Sequence, residues 1–277
     1  MKVLGRRRDG PARLLAALGA AGLAACTTTV TTNVAPVTDS ATVTTVQAPD
    51  DTDLKRRANA RLQLAAAYFG DAQYKTALEE VKRALDAEPR MPEAFNLRGL
   101  IYAALGEDAL AAESFRRALE LSPRDADVMH NYGWFLCMQK RYAEAQAQFV
   151  EALAQPRYRD ATRTMLAQGV CEARAGQLAE AERTLMRAYG ADPTSQAIAL
   201  NLAEVLFQRA DYERARFYIR RANNPPQGAS AQSLWLAARI EARAGNLAAA
   251  NDIAQQLVSR FPKSNEAAEY QLGRLRD

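Results

Sequence analysis

The sequence predicts an all-α protein: a right-handed superhelical solenoid of six helix pairs, closed by a C-terminal capping helix. Three observations carry this. Of the 277 residues, 58 are Ala while aromatics make up only 7%, a balance that suits closely packed helices better than a sandwich or barrel. One spacing of small, bulky and Pro positions recurs six times, which marks a repeat array. No run of 18 unbroken apolar residues occurs, so the helices are not bilayer spans.

Residues 1–25 read as an address. A basic stretch with Lys2, Arg6, Arg7, Arg8 and Arg13 precedes an apolar run at 14–25 that is too short to span a bilayer and suits a secretory signal. The run ends in Leu23-Ala24-Ala25-Cys26, which resembles a bacterial lipobox. The small residues fit a narrow peptidase cleft, and the Cys26 thiol is the acceptor for a diacylglyceryl thioether; two or more acyl chains make attachment effectively permanent. In lipoproteins of that type an Asp after the Cys favours inner-membrane retention, so Thr27 implies the periplasmic face of the outer membrane. The covalent lipid on Cys26 is the only non-protein group expected. The formal charge of +4 misleads, because the segment 1–25 carries all of it. Most of the case for nucleic-acid binding leaves with the signal peptide.

Residues 26–57 are expected to be the lipidated Cys and a Thr-rich tether. Between 27 and 54 lie ten Thr and four Asp, with no Lys or Arg and no helical period; Pro36 and Pro49 interrupt any strand. As a coil, those 28 residues would reach roughly 30 Å.

Residues 58–263 hold the repeats. In the stretch 92–125, Phe95, Gly99, Tyr102, Gly106, Ala111, Phe115, Ala118 and Pro123 stand at positions 4, 8, 11, 15, 20, 24, 27 and 32 of a 34-residue unit, the tetratricopeptide pattern. Positions 8 and 20 must be small where helix A crosses helix B. Positions 4, 7, 11 and 24 fill the space between helices, and Pro at 32 stops helix B. The same frame starts at Ala58, Pro92, Ala126, Thr162, Gln196 and Ala231, with intervals of 34, 34, 36, 34 and 35 residues. The two-residue excess falls at Gln155-Pro156-Arg157-Tyr158, and Asn223-Asn224-Pro225-Pro226 should truncate the fifth helix B. Residues 264–277, opening on Ser264 as an N-cap and running to Leu275, read as the capping helix that covers the last open face.

Helix A lines the concave face of such a stack through positions 2, 5, 9, 12 and 13. Those positions give Leu62, Ala66 and Phe69; then Asn96 and Leu100; then His130, Trp134 and Met138. The later repeats add Arg163, Leu166, Val170 and Arg174; Leu200, Glu204 and Phe207; and Trp235, Arg239 and Arg243. An apolar groove edged with charge suits an extended or helical peptide, although each of these side chains could instead pack on the neighbouring repeat. The candidate partner-binding residues are therefore Leu62, Phe69, Asn96, Leu100, His130, Trp134, Leu166, Phe207 and Trp235.

No catalytic or metal set is expected. His130 is the one His, with no Cys pair beside it, and no Gly-rich phosphate loop exists, so neither a cofactor nor a small-molecule substrate is implied. Cys137 and Cys171 sit at positions 12 and 10 of adjacent A helices. In an oxidising compartment they can form a disulfide, or they can serve as two buried thiols.

Four segments go beyond a generic repeat: Asn131-Tyr132-Gly133-Trp134-Phe135-Leu136-Cys137, Ala154–Tyr158, Asp211–Tyr218 and Ser230–Leu236. With them, residues 58–270 and the lipobox resemble the type IV pilus biogenesis and stability lipoproteins, the PilF/PilW family. The resemblance implies a non-catalytic outer-membrane pilotin. Such a protein binds subunits of the pilus secretin, escorts them to the outer membrane and promotes their assembly into the pore. A rival from the same architecture is an adaptor for β-barrel assembly or cell-wall enzymes.

Overall fold

The computed structural model describes residues 50–224 and 228–276. Among them are thirteen α-helices and no strand. The signal peptide, Cys26 and the segment up to residue 49 lie outside the described residues, as do 225–227.

Twelve helices form six antiparallel pairs. They are α1 (Asp51–Gly70) with α2 (Tyr74–Ala87), α3 (Pro92–Leu105) with α4 (Asp108–Leu121), and α5 (Ala126–Met138) with α6 (Tyr142–Leu153). The chain continues with α7 (Ala161–Arg174) and α8 (Leu178–Ala191), α9 (Gln196–Gln208) and α10 (Tyr212–Ala222), and α11 (Ala231–Arg243) and α12 (Leu247–Arg260). The backbone of each A helix also packs on that of the A helix in the next repeat, whereas successive B helices stand further apart and meet only through long side chains, as where Tyr189 on α8 lies 5.1 Å from Tyr218 on α10. That asymmetry curves the stack, with A helices inside and B helices outside.

The crossings obey a size rule. A Cβ on Gly99 would lie 2.8 Å from the Phe115 ring, one on Gly133 2.9 Å from Phe149, and one on Gly169 2.6 Å from Leu185. Where position 8 is Ala, position 24 is smaller or differently shaped: Ala65 shares a buried cluster with Val81, Ala203 with Ile219 and Ala238 with Ala254. Interiors are packed tightly enough that the two positions must share one volume. Position 15 turns the chain from A to B in a left-handed conformation in all six repeats: Gly106, Gly176 and Gly245, but also Ala72, Lys140 and Ala210.

Two boundaries differ from the sequence reading. Residues 51–57, assigned above to the tether, are the first two turns of α1. Asp50 caps the helix by accepting from the Asp53 backbone N–H at 2.7 Å, and Asp51 and Asp53 face the positive end of the helix dipole. The acids that looked like linker composition are a helix start. The C-terminal cap is also shorter than expected. Ser264 does cap α13, accepting from Ala267 N–H at 3.1 Å, but α13 (Asn265–Gln271) stops before Gly273, which adopts φ 77°. A 3-10 turn at Arg274–Arg276 then folds Leu275 back onto Ala238, Ala250 and Ala254, where it is buried.

Candidate partner-binding groove

The groove is built by the inner helices. Leu62 and Phe69 on α1 are half-buried against the first core cluster, and Leu100 on α3 and Trp134 on α5 against the second. Leu166 on α7 and Phe207 on α9 are half-buried against the third, and Trp235 on α11 spans the last two. Each side chain thus has one edge in repeat packing and one edge open, so the two readings of this stripe coexist in every residue. Asn96 and Asn131 link α3 to α5 through a hydrogen bond of 3.2 Å, with Asn131 Nδ2 donating. Arginines cover two aromatics from the next repeat: Arg174 lies 5.5 Å from the Trp134 ring centre and Arg239 4.7 Å from that of Phe207. Such pairs hold the rings in place while leaving charge at the rim.

His130 is not an open groove residue. It is 8% exposed, and its Nδ1 lies 2.8 Å from Thr164 Oγ1, which also lies 2.8 Å from the Tyr158 hydroxyl. Burial, with Arg163 adding to it, lowers the imidazole pKa to about 4, so His130 is neutral at physiological pH and joins repeat three to repeat four. The loop that carries the two extra residues supplies Tyr158. The sulfurs of Cys137 on α5 and Cys171 on α7 are bonded, with Cα atoms 5.8 Å apart, at the same junction.

Sequence reasoning missed three buried carboxylates. Glu80 is held by Arg61 at 2.9 Å and by Arg83. Glu172 and Glu241 both occupy position 11, where apolar filler was expected, and both reach back to position 21 of the preceding repeat. Gln146 Nε2 donates to Glu172 at 3.1 Å, and Arg216 Nε donates to Glu241 at 2.9 Å. The signal was available as an acid inside an otherwise apolar register, but only with a partner one repeat away.

Among the described residues no group of three or more His, Cys, Asp or Glu is placed to hold a metal ion, and no helix is long and apolar enough to cross a membrane.

An all-helical stack with an inner groove and repeated small-on-bulky crossings defines a tetratricopeptide-repeat scaffold. Tetratricopeptide repeat models match residues 62–126 and 139–196, with further matches at 114–147, 172–240 and 232–264. The chain is 28% identical over 213 residues to the type IV pilus assembly protein PilF of Pseudomonas aeruginosa, covering 77% of this chain and 84% of that protein. It superposes on the crystal structure of PilW, a widely conserved type IV pilus biogenesis factor, with a TM-score of 0.73 and 33% identity, over 77% of this chain and 98% of that one. The solved Pseudomonas aeruginosa PilF gives a TM-score of 0.69 and 27% identity, over 79% of this chain and 99% of that one. The chain belongs to the PilF/PilW family of type IV pilus tetratricopeptide-repeat proteins.

Proposed function

We propose that this protein is a lipid-anchored pilotin of type IV pilus biogenesis: Cys26 holds it at the periplasmic face of the outer membrane, and its inner groove captures secretin subunits for multimer assembly. The observation that carries the reading is the run of half-buried Leu62, Phe69, Leu100 and Trp134 on consecutive inner helices. Apolar edges left open in consecutive repeats make one continuous surface, which is what an extended or helical segment needs. The scaffold contributes binding and placement rather than bond chemistry.

The test is capture of purified secretin by the lipid-free protein, with circular dichroism to report folding. Phe69→Ala and Leu100→Glu should each weaken capture by about tenfold or more at unchanged helicity, since truncating an anchor costs roughly 2 kcal/mol and burying a new charge costs at least as much. Normal capture by both variants, together with loss of capture in the outer-face variant Arg116→Glu, sinks the groove. Anchoring is checked separately. Cys26→Ser cannot form the thioether, so it should leave the protein unlipidated and absent from outer-membrane fractions.

A further inference from the structure

We propose that the outer face of α10 is a second membrane contact, in which Phe217, Arg220 and Arg221 seat on anionic phospholipid headgroups and fix the orientation of the groove. The proposal rests on the lipid anchor above only for the nearness of the membrane.

Among the outer helices α10 stands apart. It carries Arg214, Arg216, Arg220 and Arg221 against one acid, Glu213. In α2, α8 and α12 the charges balance, and α4 and α6 are acidic. Two of the four arginines are already spent within the fold. Arg214 pairs with Glu182 at 2.7 Å and with Asp211, and Arg216 pairs with Glu213 and the buried Glu241. Arg220 and Arg221 are free to act. The Arg220 side chain is 73% exposed, and its one carboxylate contact is a long 3.6 Å approach to Glu241. Among the described residues Arg221 has no carboxylate partner, and its guanidinium lies over the Phe217 ring at 4.5 Å.

Phe217 is 50% exposed, although its neighbour Tyr218 is buried in the repeat core. Arginines in a last turn complement the helix dipole, which explains cations there but not an exposed ring between them. Phe217, Arg220 and Arg221, with Arg216, Glu213 and Asn224, line an open hollow of about 680 Å³. Guanidinium forks beside an apolar ring match an interfacial phosphodiester, with the ring at acyl depth and the arginines at phosphate depth.

Size argues for a membrane over a protein. One ring and two free arginines are far below the roughly 1,000 Å² that a stable protein interface buries. A chain already tethered needs only weak second-site affinity, because the tether supplies the effective concentration. Outside residues 1–25 the formal charges sum to zero, so attraction to an anionic surface must be local. With α10 against the bilayer, the inner helices face away from it, and the groove opens towards incoming partners.

The experiment is vesicle co-sedimentation of the compact unit Ala48–Asp277, the part matched by solved relatives that consist of little else. Using this lipid-free unit keeps the result independent of Cys26 acylation and of secretin capture, so failure here leaves those readings intact. Vesicles of about 30 mol% phosphatidylglycerol in phosphatidylcholine should bind the unit, and pure phosphatidylcholine should not. Arg220→Gln with Arg221→Gln, which removes both charges without setting a carboxylate beside Glu241, should reduce binding at least tenfold, since each arginine at an anionic surface is worth roughly fivefold. Phe217→Ser should reduce it severalfold, and both variants should melt like the parent. Equal binding to neutral and anionic vesicles, or no binding to either, overturns the proposal. So does a result in which the variants bind vesicles normally, or in which the same substitutions abolish secretin capture while vesicles bind neither parent nor variant.

Discussion

The junction between repeats three and four and the junction between repeats five and six are the two places where the spacing departs from 34 residues. Both are reinforced, by different chemistry. At the first, Cys137 is bonded to Cys171, and the neutral chain His130–Thr164–Tyr158 ties the extra loop to α7. At the second, α10 ends after 11 residues, and an ionic cluster joins α10 to α11: Arg216 to Glu241 at 2.9 Å, with Asn246 Nδ2 donating to the same carboxylate at 2.9 Å. The regular junctions have no covalent link and place Tyr102, Leu136 or Leu206 at position 11. The regular junction between repeats four and five also carries ion pairs, Arg209 and Arg214 each reaching Glu182 at 2.7 Å, so what sets the irregular junctions apart is the covalent link at one and a buried acid at position 11 in both. In an array whose repeats touch only their neighbours, each such bond acts on one interface.

The largest test removes the covalent link. Cys137 and Cys171 are 34 residues apart, and closing a loop of that size restricts the unfolded chain by about 3–4 kcal/mol. Cys137→Ala with Cys171→Ala, or reduction of the native protein, should lower stability by that amount in urea denaturation followed by circular dichroism. Thiol labelling of the denatured, unreduced protein should find neither Cys free. An unchanged midpoint would mean that the apolar packing of α5 on α7 holds the junction alone.

Next in size is acid sensitivity at the same junction. The folded His130 pKa, about 4, lies below the ordinary value of 6.5, so between those limits the unfolded chain binds more protons than the folded one. Stability from this group is therefore fully present above pH 6.5 and is lost as pH falls through 6.5 to 4. The span corresponds to roughly 3 kcal/mol. Asp160 opposes the shift from the neighbouring loop, whereas burial and Arg163 drive it. Denaturation midpoints measured across that window should fall with acid in the parent protein and stay flatter in His130→Gln.

The contrast between junctions also shows what the sequence could reveal. The frame, the crossing positions and the inner-face register follow from local volume: Gly99 beneath Phe115 needs no knowledge of distant residues. The helix extension at 51–57 is legible too, because Asp50 followed by Asp51 and Asp53 is a capping signature, although the Thr- and Asp-rich composition around it points to a linker. Glu172 and Glu241 were not legible. An acid at an apolar position is explained only by a partner one repeat back, and spacing alone does not say whether that partner is Gln146 or Arg216. His130 shows the same limit. Its place on the inner register suggested the groove, and only the Thr164 hydroxyl, 34 residues on, turns it into the stack.

A third test uses Glu241. Its carboxylate accepts from Arg216, whose side chain is 17% exposed, so each charge is the other's main compensation. Glu241→Gln keeps the shape but leaves Arg216 with a neutral partner and the exposed Glu213. The expected loss is about 1–2 kcal/mol, within the range for weakening one partner of a mostly buried pair. It should appear as a lower melting temperature at neutral pH.

The same substitution at the equivalent position of repeat four should have the opposite sign. Glu172 is 4% exposed and accepts from the neutral Gln146 amide, with Thr184 and Gln168 beside the same carboxyl; its neighbours there are neutral, where Glu241 has Arg216. Burial raises its pKa above the usual carboxylate value. The folded state therefore holds this proton more tightly than the unfolded one, and the ionised form carries a penalty that is fully present above the folded pKa and relieved as pH falls through it. Gln168 reaches the same carboxyl and has its own side-chain oxygen buried without a partner. An amide at position 172 keeps the side chain's shape and removes the buried charge. Glu172→Gln should thus raise stability at neutral pH by up to about 1 kcal/mol, with the gain shrinking in acid as the parent carboxyl protonates. A loss at Glu172→Gln comparable to that at Glu241→Gln would show that position 11 requires a carboxylate for its shape and hydrogen bonds, whichever side chain stands at position 21.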